Sequence, residues 1–159
     1  MGIVLDSQTK VSRGSVSREF RNVFARSQKL NNSEGQVWES ALGSVAQELD
    51  TLCAIVDRNL LKSQGVVDDA KPLEPLAQKW EAFGWHAIVV DGHDLRQICD
   101  ALDEAEIVKG KPTVIVAKTV KGKGVPFMEG QFQFHNAPIS QNQWAEAMRL
   151  LAPEKEAAP

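Results

Sequence analysis

Thr51-Leu52-Cys53-Ala54-Ile55-Val56-Asp57-Arg58-Asn59 is a short apolar run that stops on three polar residues. Apolar at nearly every position rather than at alternate ones, Thr51–Val56 reads as a strand buried on both faces, the pattern of a parallel sheet. Such a strand delivers Asp57, Arg58 and Asn59 at its C-terminal end, the edge where open α/β sheets bind their ligands.

Upstream, Ser33 and Gln36 form an S-x-x-Q capping box, and Val37, Trp38, Ala41, Leu42, Val45, Ala46 and Leu49 follow at helical spacing. Downstream, after a loop with Gly65, Asp68 and Asp69, Pro72 and Pro75 introduce a helix through Leu76, Ala77, Trp80 and Phe83, which Gly84 closes. His86–Val90 reads as a second strand. Asp94 then caps a helix carrying Leu95, Ile98, Leu102, Ala105 and Ile107, and beyond Gly110, Pro112 opens a third strand through Val114, Ile115 and Val116. Helix and strand alternate three times, which predicts an α/β fold: a parallel sheet of about three strands with right-handed crossovers and flanking helices. A long Gly-containing loop from Val120 to about Ile139 leads to a last amphipathic helix, Gln141–Leu151, with Trp144, Met148 and Leu151 on one side.

The chain has 159 residues, 43% hydrophobic and 25% charged, the balance of one globular domain. Its formal charge of −3 gives no reason to expect nucleic acid or an anionic membrane as partner, and its apolar runs are far shorter than the roughly 20 residues of a membrane-spanning helix. Cys53 and Cys99 sit in apolar or amphipathic stretches, as small buried thiols do, and fit a reduced, cytoplasmic setting. Residues 1–33 differ in charge, with six basic residues against two acidic ones, so that they carry +4 and the remainder −7. That imbalance admits an organelle-targeting reading beside the cytoplasmic one. The organisation expected is a divergent N-terminus over 1–32, the α/β domain over 33–152 and a flexible tail over 153–159.

Asn59 is the first residue with chemical interest. An Asn at a strand end offers a neutral oxygen to a hard cation such as Mg²⁺ and a backbone carbonyl nearby can add another, although Asn in that place is more often a turn residue than a ligand. Lys121-Gly122-Lys123-Gly124 offers turn amides to an anion but does not match G-x-x-x-x-G-K-[ST], so no P-loop is expected.

Several stretches together resemble the transketolase family: Glu34-Gly35-Gln36-Val37-Trp38-Glu39, Asp57-Arg58-Asn59, Pro72 to Leu76, Phe83-Gly84-Trp85-His86, Val90-Asp91-Gly92-His93-Asp94 and Lys118 to Gly124. The resemblance spans about Ser33 to Leu151 and implies a partial thiamine-diphosphate-binding fold. It implies that Asn59 binds metal and diphosphate, that the Leu61 carbonyl completes the protein ligands of Mg²⁺, and that Glu34 couples two cofactor sites across a dimer interface. Glu34 and His135 would be the catalytic groups. His135, in Phe134-His135-Asn136-Ala137-Pro138, resembles the family histidine that approaches the diphosphate and the sugar, where an imidazole can donate to phosphate or shuttle a proton. His86 and His93 are expected to be structural.

One departure bears on the cofactor. The family has Gly-Asp-Gly upstream of the glutamate, its metal-binding Asp falling at position 29, where this chain has Lys29 between Gln28 and Leu30. Exchanging carboxylate for ammonium changes the local charge by two units and is expected to weaken Mg²⁺ binding there. The resemblance implies transfer of a two-carbon ketol unit between phosphosugars by a fragment or one section of a split enzyme, with a second transketolase chain or a homodimer mate as partner. Two alternatives stand beside it: an inactive remnant that only associates with such a partner, and a component of another thiamine-diphosphate enzyme.

Overall fold

The structure is a computed structural model and describes residues 2–3, 26–27, 35–62, 65–66 and 72–152. Lys29, Glu34 and the expected capping box at Ser33 lie outside these residues, as do the tail 153–159 and most of 1–32. In chain order the elements are β1 (Gly2–Ile3), β2 (Arg26–Ser27), α1 (Gly35–Ala46), β3 (Cys53–Arg58), β4 (Leu61–Lys62) and β5 (Gly65–Val66). There follow α2 (Leu76–Ala82), β6 (His86–Asp91), α3 (Leu95–Ile107), β7 (Thr113–Lys118), a 3₁₀ turn (Phe132–His135) and α4 (Gln141–Leu151). They belong to two compact units, Met1–Arg58 with Lys71–Thr119 and Asn59–Ala70 with Val120–Pro159.

The first unit holds the parallel sheet, in the order β3-β7-β6. The last strand in sequence lies in the middle, with Ile115 paired to Ile55 on one side and Ile88 on the other. All of Thr113–Ala117 is buried, as a strand covered on both faces requires. On one face α3 supplies Ile98, Ala101 and Leu102 against Ile55, Ile88, Val90, Ile115 and Ala117. On the other, Ala54, Val56, Val114 and Val116 are buried too. Removing such aliphatic side chains from water contributes roughly 1.5–3 kcal/mol each.

Aromatic side chains join α1 to α2. Trp38 stacks on Phe83 at 5.2 Å and meets Trp80 at 5.1 Å, and Trp80 meets Trp85 edge-on at 4.8 Å. Trp85 is 2% exposed and donates its indole N–H to the Ala41 carbonyl at 3.0 Å. Gly84, at φ +91°, leaves room for Val45 of α1: a Cβ there would come within 3.1 Å of its methyl.

The expected alternation of helix and strand is present, with shifts at the ends. The first strand runs over Cys53–Arg58 rather than Thr51–Val56, so Asp57 and Arg58 belong to the ladder and only Asn59 lies beyond it. Asp94 caps α3, its side chain accepting from the amides of Arg96 and Gln97. α4 covers Gln141–Leu151 as expected and starts on a reciprocal capping box between Ser140 and Gln143. Burial departs from the helical patterns more than position does. Leu95 and Ile107 are 77% exposed, Leu42, Trp144, Met148 and Leu151 are also exposed, and Cys99 lies on the surface. Both thiols are free.

Trp85→Phe keeps a ring but removes the indole donor to the Ala41 carbonyl, and unfolding in urea should register a loss of about 0.5–1.5 kcal/mol. Asp94 is held below the usual carboxyl value of 3.8, first by the Gln97 amide and then by the Gln97 side chain. A depressed carboxyl stabilises the folded state above its unfolded pKa, and that contribution is lost as pH falls through the folded value. Melting curves should therefore show Asp94→Ala less stable than wild type at neutral pH, with the gap closing as the pH falls below 3.8.

Candidate functional site

β3 and β7 end together, Arg58 opposite Lys118, and β6 reaches the same row at Asp91. The residues that leave this C-terminal edge are Asn59, Gly92 and Thr119. At the exit from β3, the Asn59 side-chain oxygen accepts the Leu61 amide at 3.0 Å, closing a tight turn. Leu60, between them, has φ +65° and is 48% exposed. A branched, bulky residue in the left-handed region costs of order 1–3 kcal/mol and persists only where the surroundings fix it. Leu61 then pairs with Val66 in the short β4–β5 ladder.

The strand end feeding this turn is held from several sides. Arg58 is 6% exposed, and its Nε donates to Glu74 Oε1 at 2.9 Å. The other oxygen of Glu74 accepts the Leu76 amide at 2.9 Å, so one carboxylate ties β3 to the first turn of α2. An anion there also meets the positive end of the helix dipole. Thr119 Oγ1 donates to Asp57, and the Thr119 amide points to the Arg58 carbonyl at 3.4 Å.

Of the residues singled out from the sequence, Asn59 and Leu61 are joined in one turn that follows the C-terminal end of β3. His135 is exposed at the end of the 3₁₀ turn Phe132–His135, in the stretch that also carries the edge-on Phe127–Phe134 pair. Glu34 and Lys29 lie outside the described residues. His86 approaches Glu104 of α3 at 2.6 Å, and the backbone amide of His93 donates to Asp91 at 2.9 Å. The Lys121–Gly124 stretch is internally bonded: the Gly130 amide donates to the Lys121 carbonyl and the Gly124 amide to Glu129. Burial pushes the Cys53 thiol up, which lowers its thiolate content and makes it a poor nucleophile.

The donor set can be compared with what the implied cofactor needs. The side-chain N–H groups of an Asn suit a diphosphate, and its oxygen with a backbone carbonyl two residues on suits the neutral half of a cation's shell. No grouping of three or more His, Cys, Asp or Glu able to hold a metal occurs among the described residues. Mg²⁺ prefers one or two carboxylates beside phosphate oxygens, and the position expected to supply one is Lys29. The diphosphate therefore fits this turn, whereas the described residues do not make a full Mg²⁺ site. Sequence reasoning assigns no role at the site to Thr119, Glu74 or Leu60 and none to the Asp57 carboxylate beyond its place at the strand end. The strained φ of Leu60 has no sequence signal.

Among the described residues no helix is long and apolar enough to cross a membrane. A family model for the transketolase thiamine diphosphate binding domain matches residues 13–157. The chain is 41% identical over 127 residues to the 6-deoxy-6-sulfo-D-fructose transketolase subunit of Clostridium sp., covering 80% of this chain and 46% of that protein. It is 34% identical to an apulose-4-phosphate transketolase subunit of Phocaeicola vulgatus, over 75% of this chain and 42% of the relative. Among solved structures, the transketolase of Campylobacter jejuni superposes with a TM-score of 0.69 at 31% identity, covering 74% of this chain and 18% of that one. The chain thus spans less than half the length of these relatives. With a matched fold, a parallel sheet in common and a family model over most of its length, the chain belongs to the transketolase family and carries part of its thiamine diphosphate binding domain.

Proposed function

We propose that this chain is one section of a split, transketolase-type enzyme that transfers a two-carbon ketol unit between phosphosugars and is completed by a second chain. The observation that supports this reading is the Asn59–Leu61 turn, in a strained conformation directly after the C-terminal end of β3. Two relatives of similar sequence are themselves transketolase subunits, named for 6-deoxy-6-sulfo-D-fructose and for apulose-4-phosphate. Thiamine diphosphate, when bound, supplies the electron sink for breaking a carbon–carbon bond beside a ketone.

The chain's own residues have binding and proton-handling roles in this reading. The Asn59 amide holds the diphosphate end, and the Leu61 carbonyl offers an oxygen to the accompanying cation. His135, exposed and on a loop, donates a hydrogen bond to a phosphate oxygen or moves a proton at the sugar. Glu34 links two cofactor sites across the interface by sharing a proton with a second carboxylate. The partner chain supplies the aminopyrimidine pocket. The anionic metal ligand is the weak part of the assignment, because Lys29 stands at its position.

That same lysine favours a second reading, an inactive remnant that associates with a transketolase-like chain without cofactor. Calorimetric titration with thiamine diphosphate, with and without Mg²⁺ and with and without the candidate partner chain, separates the two. Micromolar binding, about 8 kcal/mol of association, is expected in the presence of partner and should disappear in Asn59→Ala. Capture of the partner with no cofactor uptake under any condition would establish the remnant instead. Should Asn59→Ala bind the cofactor as tightly as wild type, Asn59 is a turn residue only.

A further inference from the structure

Leu60 can keep φ +65° only while both ends of its turn are fixed. The far end is the β4–β5 ladder. The near end is the last peptide of β3, where Thr119 makes two contacts beside the Arg58–Glu74 bond. Its hydroxyl donates to the Asp57 carboxylate, and its amide points at 3.4 Å to the carbonyl of Arg58, the residue next to Asn59.

Thr119 is itself confined. The Gly92 amide donates to the Lys118 carbonyl at 2.7 Å, which draws the β6 exit against the β7 exit. A Cβ at Gly92 would overlap the Thr119 methyl and come within 3.0 Å of the Lys118 carbonyl. Glycine at 92 is thus what lets Thr119 lie close to the sheet edge, and the methyl of Thr119 fills the space this leaves. The clasp joins the exits of all three strands.

We propose that Thr119 and Asp57 are positioning residues for Asn59: their hydrogen bond pins the β3 exit from which the turn starts, so that the Asn59 oxygen meets the Leu61 amide. The inference rests on the cofactor reading only for its consequence, since the clasp acts on the turn whether or not a ligand binds. A charge-assisted O–H donor to a carboxylate is among the stronger hydrogen bonds, which suits it to restraining a strained segment.

The test uses the full 159-residue chain. Amide hydrogen exchange at Leu61 is measured by NMR in wild type, Thr119→Val and Thr119→Ser, with Val90 and Val116 as core references. Thr119→Val keeps the volume and removes the donor, so Leu61 should exchange faster by about tenfold, the scale of one hydrogen bond to a charged group, while both references stay unchanged. Thr119→Ser keeps the donor and should behave as wild type. An unchanged Leu61 in Thr119→Val, or equal acceleration in Thr119→Ser, overturns the proposal. If Thr119→Val does not fold, Asp57→Leu is read by the same criterion, since it keeps a similar shape and removes the acceptor. Cofactor titration of the same variants separates this inference from the function it serves. Faster exchange at Leu61 with weaker binding supports both. Faster exchange with unaltered binding supports the clasp and removes Asn59 from the cofactor site.

Discussion

The in-register burial of β7 between β3 and β6 is the constraint on which the rest of the first unit depends. A strand buried on both faces must satisfy its backbone groups through its neighbours, because water does not reach them. Thr113–Ala117 does so by pairing with Cys53–Asp57 on one side and His86–Val90 on the other. Parallel pairing in this register also aligns the strand ends. Arg58, Lys118 and Asp91 fall in one row, and Asn59, Thr119 and Gly92 therefore leave the sheet side by side. The chemistry at the edge is a consequence of register, since a slip of one residue would turn Asp57 to the opposite face and break its bond to Thr119.

Elements are legible in the sequence to the extent that their signals are local. Asp94 before an amphipathic run marks α3, and Pro112 followed by Val114, Ile115 and Val116 marks β7; both lie where the pattern puts them. The end of β3 lies two residues beyond the expected one, because Asp57 and Arg58 look like the close of an apolar run. Each has a partner that makes strand geometry tolerable, Thr119 for the one and Glu74 for the other. Periodicity is a poorer guide to burial. Leu95 and Ile107 are the first and last residues of α3, and by helical periodicity Ile107 points away from the side that carries Ile98, Ala101 and Leu102.

The candidate site divides in the same way. Asn59 and Leu61 are near neighbours in sequence, and a strand-end Asn can be picked out by inspection. What holds them is distant: Thr119 is 62 residues from Asp57, and Glu74 is 16 residues from Arg58. The aromatic seam between α1 and α2 closes over 44 residues, from Trp85 to Ala41. Neither pattern nor propensity reports such pairings, because each residue is ordinary in its own neighbourhood. A threonine after a strand reads as the start of a loop, and a glutamate before a proline reads as a solvated turn.

Strain and charge then bear on the cofactor in opposite directions. The Leu60 turn has a conformational cost that a relaxed loop would avoid, and the contacts at Arg58 and Asp57 offset it by fixing the strand end. A strained turn of this kind persists only where its surroundings fix it. By the resemblance Lys29 stands where the family has a carboxylate, an exchange that would remove an anionic ligand and add a repelling charge. A diphosphate is itself anionic, so the side-chain N–H groups of an asparagine would suit it even where the cation's shell is incomplete. The chain spans less than half of the relatives it matches, and under the proposed function a second chain would supply the anion that Lys29 does not.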